Sequence, residues 1–129
     1  MAKYLKFLNG QMVADDLLAP LVKGYSEAVT TSNSSAAYTV SIDAATIVVL
    51  TLNASAVSLS FPAPAAGKSF VLSMRWSTAG ATVTWPATVE WPNGVAPTLS
   101  GMVGKADTLG FWSDGTNWYG SVMGQKYTV

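Results

Sequence analysis

Hydrophobic and polar residues alternate along most of this chain with a period of two. Tyr38, Val40 and Ile42 point one way, and Thr39, Ser41 and Asp43 the other. Val57, Leu59 and Phe61 alternate with Ser58 and Ser60, and Pro62 closes that run. Phe70, Leu72, Met74 and Trp76 alternate with Val71, Ser73 and Arg75. Such alternation is the mark of a half-buried strand, because successive side chains leave a strand on opposite faces. Residues 46–52 are β-branched and nearly continuous, which predicts a strand covered on both faces. A further strand is predicted at residues 81–85, after a turn at 77–80. Residues 108–113 and 118–123 read as a hairpin joined through Asp114-Gly115-Thr116-Asn117, and residues 125–129 as a final short strand. Short strands spaced about 8–12 residues apart predict an all-β fold: an antiparallel β-sandwich or jelly-roll-like domain over residues 36–129. No sequence repeat of solenoid length is visible.

Residues 1–35 break the pattern and are read as a short N-terminal docking arm and linker. Tyr4-Leu5-Lys6-Phe7-Leu8 is strand-like, Asn9-Gly10 is a strong turn signal, and residues 11–13 can return as the second arm of a hairpin. Asp15 is placed to cap a helix that Pro20 limits to about one turn, so helix and strand both stay open there. Residues 30–37 are small and polar, as a linker would be. Met1-Ala2-Lys3-Tyr4-Leu5-Lys6 lacks the long apolar core of a signal peptide.

Composition narrows the function. The chain has 129 residues, enough for one domain, and 50% of them are hydrophobic while only 11% are charged. A monomeric domain usually carries about 25% charged residues, so surface buried against other copies or a partner is expected. Seven basic and seven acidic residues cancel and do not cluster, which argues against nucleic acid as a partner. The chain contains neither cysteine nor histidine. Disulfides, thiolate chemistry, Cys/His zinc sites and histidine-dependent catalysis are therefore excluded. The uncharged stretch 44–67 is interrupted by Thr46, Thr51, Asn53, Pro62 and Pro64 and does not read as a membrane helix.

Few residues suggest chemistry. Glu90 lies between Trp85 and Trp91, each followed by proline. Those rings could stack on a pyranose while Glu90 bonds a hydroxyl; the favoured reading is that they cover one end of the sandwich and Glu90 meets water. Asp114-Gly115-Thr116-Asn117 begins like a calcium loop but lacks its later carboxylates, and is read as a turn. Lys105 and Asp107 are read as shielding an edge strand. Asn33-Ser34-Ser35 and Asn53-Ala54-Ser55 match the glycosylation pattern without a secretory signal to give it weight. No catalytic, cofactor-binding or metal-binding residue is assigned.

An ordered series of short pieces runs from Tyr38 nearly to the end: Ala37-Tyr38-Thr39-Val40, Val49-Leu50-Thr51-Leu52, Phe61-Pro62-Ala63-Pro64, Gly67-Lys68-Ser69-Phe70-Val71-Leu72 and Ala81-Thr82-Val83-Thr84-Trp85-Pro86. Trp91-Pro92-Asn93-Gly94-Val95-Ala96-Pro97-Thr98-Leu99 and Trp118-Tyr119-Gly120 complete it. Together they resemble the β-domains of tailed-bacteriophage virion proteins, both head decoration (cement) proteins and tail-fibre C-terminal domains. The resemblance implies a non-enzymatic structural protein of the virion, a homotrimer with no cofactor. The short segment before the β-domain favours a capsid decoration protein on the capsid exterior that docks on the major capsid protein. The alternative is a tail-fibre module that joins a tail hub or recognises a host surface glycan or protein. The expected docking arm comprises Tyr4, Leu5, Phe7, Leu8, Leu17, Leu18, Leu21 and Val22. Trp112 and Trp118 are the expected subunit contacts, and Trp85, Glu90, Trp91 and Asn93 the candidate receptor-contact loop. Neither nucleic acid nor membrane insertion is implied.

Overall fold

A computed structural model describes Leu5–Leu8, Gln11–Ala14 and residues 26–129. The first two segments are strands β1 and β2, paired antiparallel with Leu8 opposite Gln11. The hairpin read from the sequence on either side of Asn9-Gly10 is therefore present. Of the expected docking arm, Tyr4, Leu17, Leu18, Leu21 and Val22 lie outside the described residues, and for Leu5, Phe7 and Leu8 the backbone alone is described.

Residues 29–84 trace three turns of a flattened coil. Each turn lays one strand on a large sheet and the next on a small one. The strands are β3 (Val29–Asn33), β4 (Ala37–Thr39), β5 (Ile47–Leu52), β6 (Ala56–Ser60), β7 (Ser69–Trp76) and β8 (Thr82–Thr84). β3, β5 and β7 pair in parallel, and so do β4, β6 and β8. Three strands then complete the large sheet: β9 (Val89–Glu90), β10 (Lys105–Ser113) and β11 (Trp118–Thr128). Its order is β3-β5-β7-β10-β11-β9, and the small sheet's is β4-β6-β8. β10 is antiparallel to both β7 and β11, while β9 runs parallel to β11.

The fold is all-β with two sheets around one core. Among the described residues, the antiparallel pairing expected from the sequence is confined to β1–β2 and β7–β10–β11; the coil is parallel. The residues expected to form a linker, 30–37, are instead largely β3 and its turn, so the β-domain begins before residue 36. Strand β3 alternates exposed and half-buried positions, which a Thr/Ser-rich sequence satisfies at a sheet margin. The coil has no counterpart in a sequence repeat because the spacing between the equivalent positions Val29, Ile47 and Val71 changes from turn to turn.

Polar side chains bind the turns of the coil at one corner. Ser34, 1% exposed, and Ser35 follow β3; Asn53 follows β5; Ser77 follows β7. The Asn53 Oδ1 accepts from the Ser35 amide at 2.8 Å, and the Ser34 amide donates to the Thr51 carbonyl. Ser77 donates both its amide and its hydroxyl to the Leu52 carbonyl. Buried corner groups thus find partners one turn away, as solenoid stacking requires.

The inward positions read from the alternation form the core. Val48, Leu50 and Leu52 of β5, Val57 and Leu59 of β6, and Phe70, Leu72, Met74 and Trp76 of β7 are buried together with Leu109 and Phe111 of β10. β5 is covered on one face only: Ile47, Val49 and Thr51 on its other face are half-buried, which corrects the expectation of burial on both. Phe61, Phe70 and Phe111 meet at centroid distances of 4.9–5.0 Å. Trp118 seals this cluster, 5.1 Å from Phe70, and its indole N–H donates to the Pro62 carbonyl at 2.9 Å. Trp118 is fully buried, so its expected role as a subunit contact is corrected: it is a core residue.

Asp107 is a further correction. β10 lies between β7 and β11, so it is no edge strand, and Asp107 is 0% exposed. Its carboxylate accepts from the Ser100 amide (2.7 Å) and hydroxyl, the Lys126 amide (3.0 Å) and the Gln125 side chain (3.2 Å). It fastens the 98–101 loop to β11 at Lys126, whose φ of 61° breaks the regular strand there. β11 continues through this irregularity, so the separate last strand expected at 125–129 is its C-terminal half.

Candidate functional site

The outward positions of the large sheet fall into rows across its strands. One row reads Val29, Ile47, Val71, Gly110 and Ser121; the next reads Thr31, Val49, Ser73 and Thr108. A third reads Asn33, Thr51, Arg75 and Ala106. Met123 bulges beside Gly110, where an added Cβ would come within 3.3 Å of its sulfur. This is a face of small and β-branched side chains, with Arg75 at one margin and Glu27, hydrogen-bonded to Thr46, at the other.

Beyond these rows, at the β10–β11 hairpin, Glu90, Tyr119 and Trp112 stand side by side, since Glu90 pairs with Tyr119 and Tyr119 with Trp112. The Trp112 and Tyr119 rings stack at 4.6 Å with 23° between their planes. The turn supports them from below. Asp114 Oδ1 accepts from the Thr116 and Asn117 amides at 2.9 and 3.0 Å, and its Oδ2 accepts the Tyr119 hydroxyl at 2.9 Å. The amides of Asn117 and Thr116, then the Tyr119 hydroxyl, hold the Asp114 carboxyl below its ordinary range. The same hydrogen bond raises the Tyr119 phenol. The turn reading of this segment holds, and the aspartate's oxygens serve backbone amides and a phenol.

An open cleft of about 580 Å³ lies here, lined by Glu90, Trp91, Trp112, Asn117, Tyr119 and Ser121 among others. Its Trp91 wall is fixed by packing. Trp91 meets Trp85 edge-on at 5.0 Å and Phe111 at 5.7 Å. Gly120 makes room for it, because a Cβ there would approach the Trp91 ring to 2.5 Å.

The loop set read from the sequence is thus divided. Glu90 and Trp91 line the cleft. Trp85 is half-buried against the core and borders a different hollow with Val83, Pro97 and Leu99. Asn93 sits exposed in the 3-10 turn Pro92–Gly94 at φ 57°. Trp112, expected at a subunit contact, is 56% exposed and lines the cleft. Tyr119 stands out in the sequence, with the tryptophans, as a ring able to anchor a contact, but its grouping with Trp112, Glu90 and Asn117 does not. The signal was parity: Phe111 and Trp118 face inward, so their neighbours Trp112 and Tyr119 must share the outer face. Among the described residues no group of acidic side chains is placed to hold a metal ion, and no helix is long and apolar enough to cross a membrane. In comparisons with protein-family models, curated proteins and solved structures, nothing matches this chain.

Proposed function

We propose that this protein is a non-enzymatic structural component of a tailed-phage virion, a trimeric decoration protein that docks on the major capsid protein and stabilises the shell. The observation that carries this reading is the outer face of the large sheet. Its central rows, Val29, Ile47, Val71 and Thr31, Val49, Ser73, hold no charge. Such a face suits burial against a second β-surface. A copy of the same chain is the favoured occupant, because a sheet face uniform in chemistry and poor in charge packs on itself without unpaired ions. The resemblance to virion β-domains supplies the trimer and the capsid partner. Docking is assigned to the N-terminal segment by the sequence alone.

Quantitative mass spectrometry of purified virions, scaled to the major capsid protein, tests the reading. Copy numbers on the order of hundreds are expected for a shell-wide clamp built from many linked contacts. A handful of copies would move the protein to the tail, and absence from virions would overturn the structural role.

The cleft favours a second reading, a tail-fibre module that binds a host surface glycan. Under that reading, phage carrying Trp112→Ala, whose ring is 56% exposed and outside the core, assemble normally and adsorb poorly; unchanged adsorption would count against it.

A further inference from the structure

We propose that the cleft beside the β10–β11 hairpin is a saccharide-binding subsite for an uncharged pyranose, with Trp112 and Tyr119 as its platform. This deepens the glycan-binding reading and rests on it for its biological setting. The argument itself starts from Trp112. A tryptophan 56% exposed on a sheet surface leaves a large apolar ring in water, yet this one is not loose. It is stacked on Tyr119, whose hydroxyl is tied to Asp114, which is tied in turn to two turn amides. The platform is therefore rigid before any ligand arrives. Rigid aromatic anchors lose little conformational entropy on binding, which is the main cost such a site must avoid.

The surroundings of the platform fit the chemistry of a sugar. A pyranose has an apolar face of C–H groups and a rim of hydroxyls. The ring face meets an aromatic plane; the rim needs donors and acceptors around it. Here Glu90 offers a carboxylate acceptor, Asn117 an amide that both donates and accepts, and Ser121 a hydroxyl. Trp91 closes one side. A volume of about 580 Å³ lies inside the usual range of small-molecule sites, roughly 300–1,000 Å³. Charge then selects within the class. The lining carries the acidic Glu90 and no basic side chain, so an anionic sugar meets repulsion without a compensating cation.

Two other places offer less. The hollow beside Trp85 is lined mainly by glycine, alanine, proline and aliphatic residues and has no charged group. The buried Asp107 carboxylate is already occupied by donors from Ser100, Gln125 and Lys126.

The test uses the purified full-length protein, titrated with maltoheptaose, chitohexaose and sialyllactose and followed by calorimetry and tryptophan fluorescence. Saturable binding of a neutral oligosaccharide is expected, weakened at least about tenfold by Trp112→Ala, a loss of about 1.4 kcal/mol. Sialyllactose is expected to bind more weakly, and Glu90→Gln to narrow that gap. Thermal melts of Trp112→Ala should match the parent, because the ring lies outside the core. Three results overturn the proposal: no binding to any of the three sugars, neutral binding unchanged by Trp112→Ala, or sialyllactose bound as tightly as the neutral sugars. Adsorption is scored separately. If Trp112→Ala abolishes sugar binding and phage adsorption is unchanged, the receptor role fails while the subsite stands.

Discussion

Asp107 shows how much a single buried group can hold. Removing its carboxylate leaves the Ser100 and Lys126 amides without their acceptor beside a fully buried position, while the Gln125 side chain keeps the Thr98 carbonyl. Each orphaned buried donor costs about 1–3 kcal/mol. Asp107→Ala is therefore expected to destabilise the protein by about 3 kcal/mol in urea denaturation, and Asp107→Asn by less, since the amide oxygen can still accept. A loss for Asp107→Ala under about 1 kcal/mol would show that these bonds contribute little. Nothing in the sequence around Asp107 marks it as buried. Lys105 and Asp107 alternate with Ala106 as charged residues on a strand margin would, and the donors that satisfy Asp107 come from elsewhere in the chain.

At the scale of elements, the β10–β11 turn couples ionisation to structure. The Asp114 value is lowered, so its contribution is present above the ordinary carboxylate range and lost as pH falls through the lowered value. The Tyr119 value is raised, so its contribution is present below the ordinary phenol range and lost as pH rises through the raised value. The turn is therefore at full strength across neutral pH. Carbon-detected NMR titration should place the Asp114 midpoint below that of an aspartate in a disordered peptide, and Tyr119→Phe should move it back upward. A midpoint at or above the peptide value would contradict the hydrogen bonds. This hairpin was legible in advance because its register is local: Ser113 pairs with Trp118 across four turn residues. The inward set Phe70, Leu72, Met74 and Trp76 was legible for the same reason, being a matter of parity within one strand. The parallel coil was not. Pairing Val29 with Ile47, and Ile47 with Val71, joins residues of different strands through connections that cross to the other sheet, and alternation within a strand is blind to direction. The candidate site was half legible: Glu90 and Trp91 were singled out, whereas Trp112 and Tyr119 became neighbours only once the hairpin register was fixed.

For the whole molecule, the charge-poor sheet face yields the prediction that separates an assembly from a monomer. Val71 sits mid-row between Ile47 and Gly110 on the outer face, away from the core. Val71→Glu places a carboxylate where copies of the chain are proposed to meet, and three such charges facing one another would be left unpaired. Light scattering is expected to give a trimer mass for the parent and a monomer mass for Val71→Glu, with unchanged circular dichroism. A parent protein that is monomeric at micromolar concentration, or a trimer indifferent to Val71→Glu, would remove this face from the assembly.

The plug that Trp118 forms has a consequence for how the protein comes into being. Phe61 and Phe70 are synthesised well before the indole that closes over them, and β3 is made before every strand of the sheet that holds it in place. The ribosome thus releases the lining of the core first and its stopper last. Until β11 has emerged, β10 lacks its hairpin partner and the three phenylalanines lack their lid. Strands β3, β5, β7, β10 and β11 are made in the order in which they pair, yet the nascent chain has to carry an unfinished apolar surface until its final strand arrives.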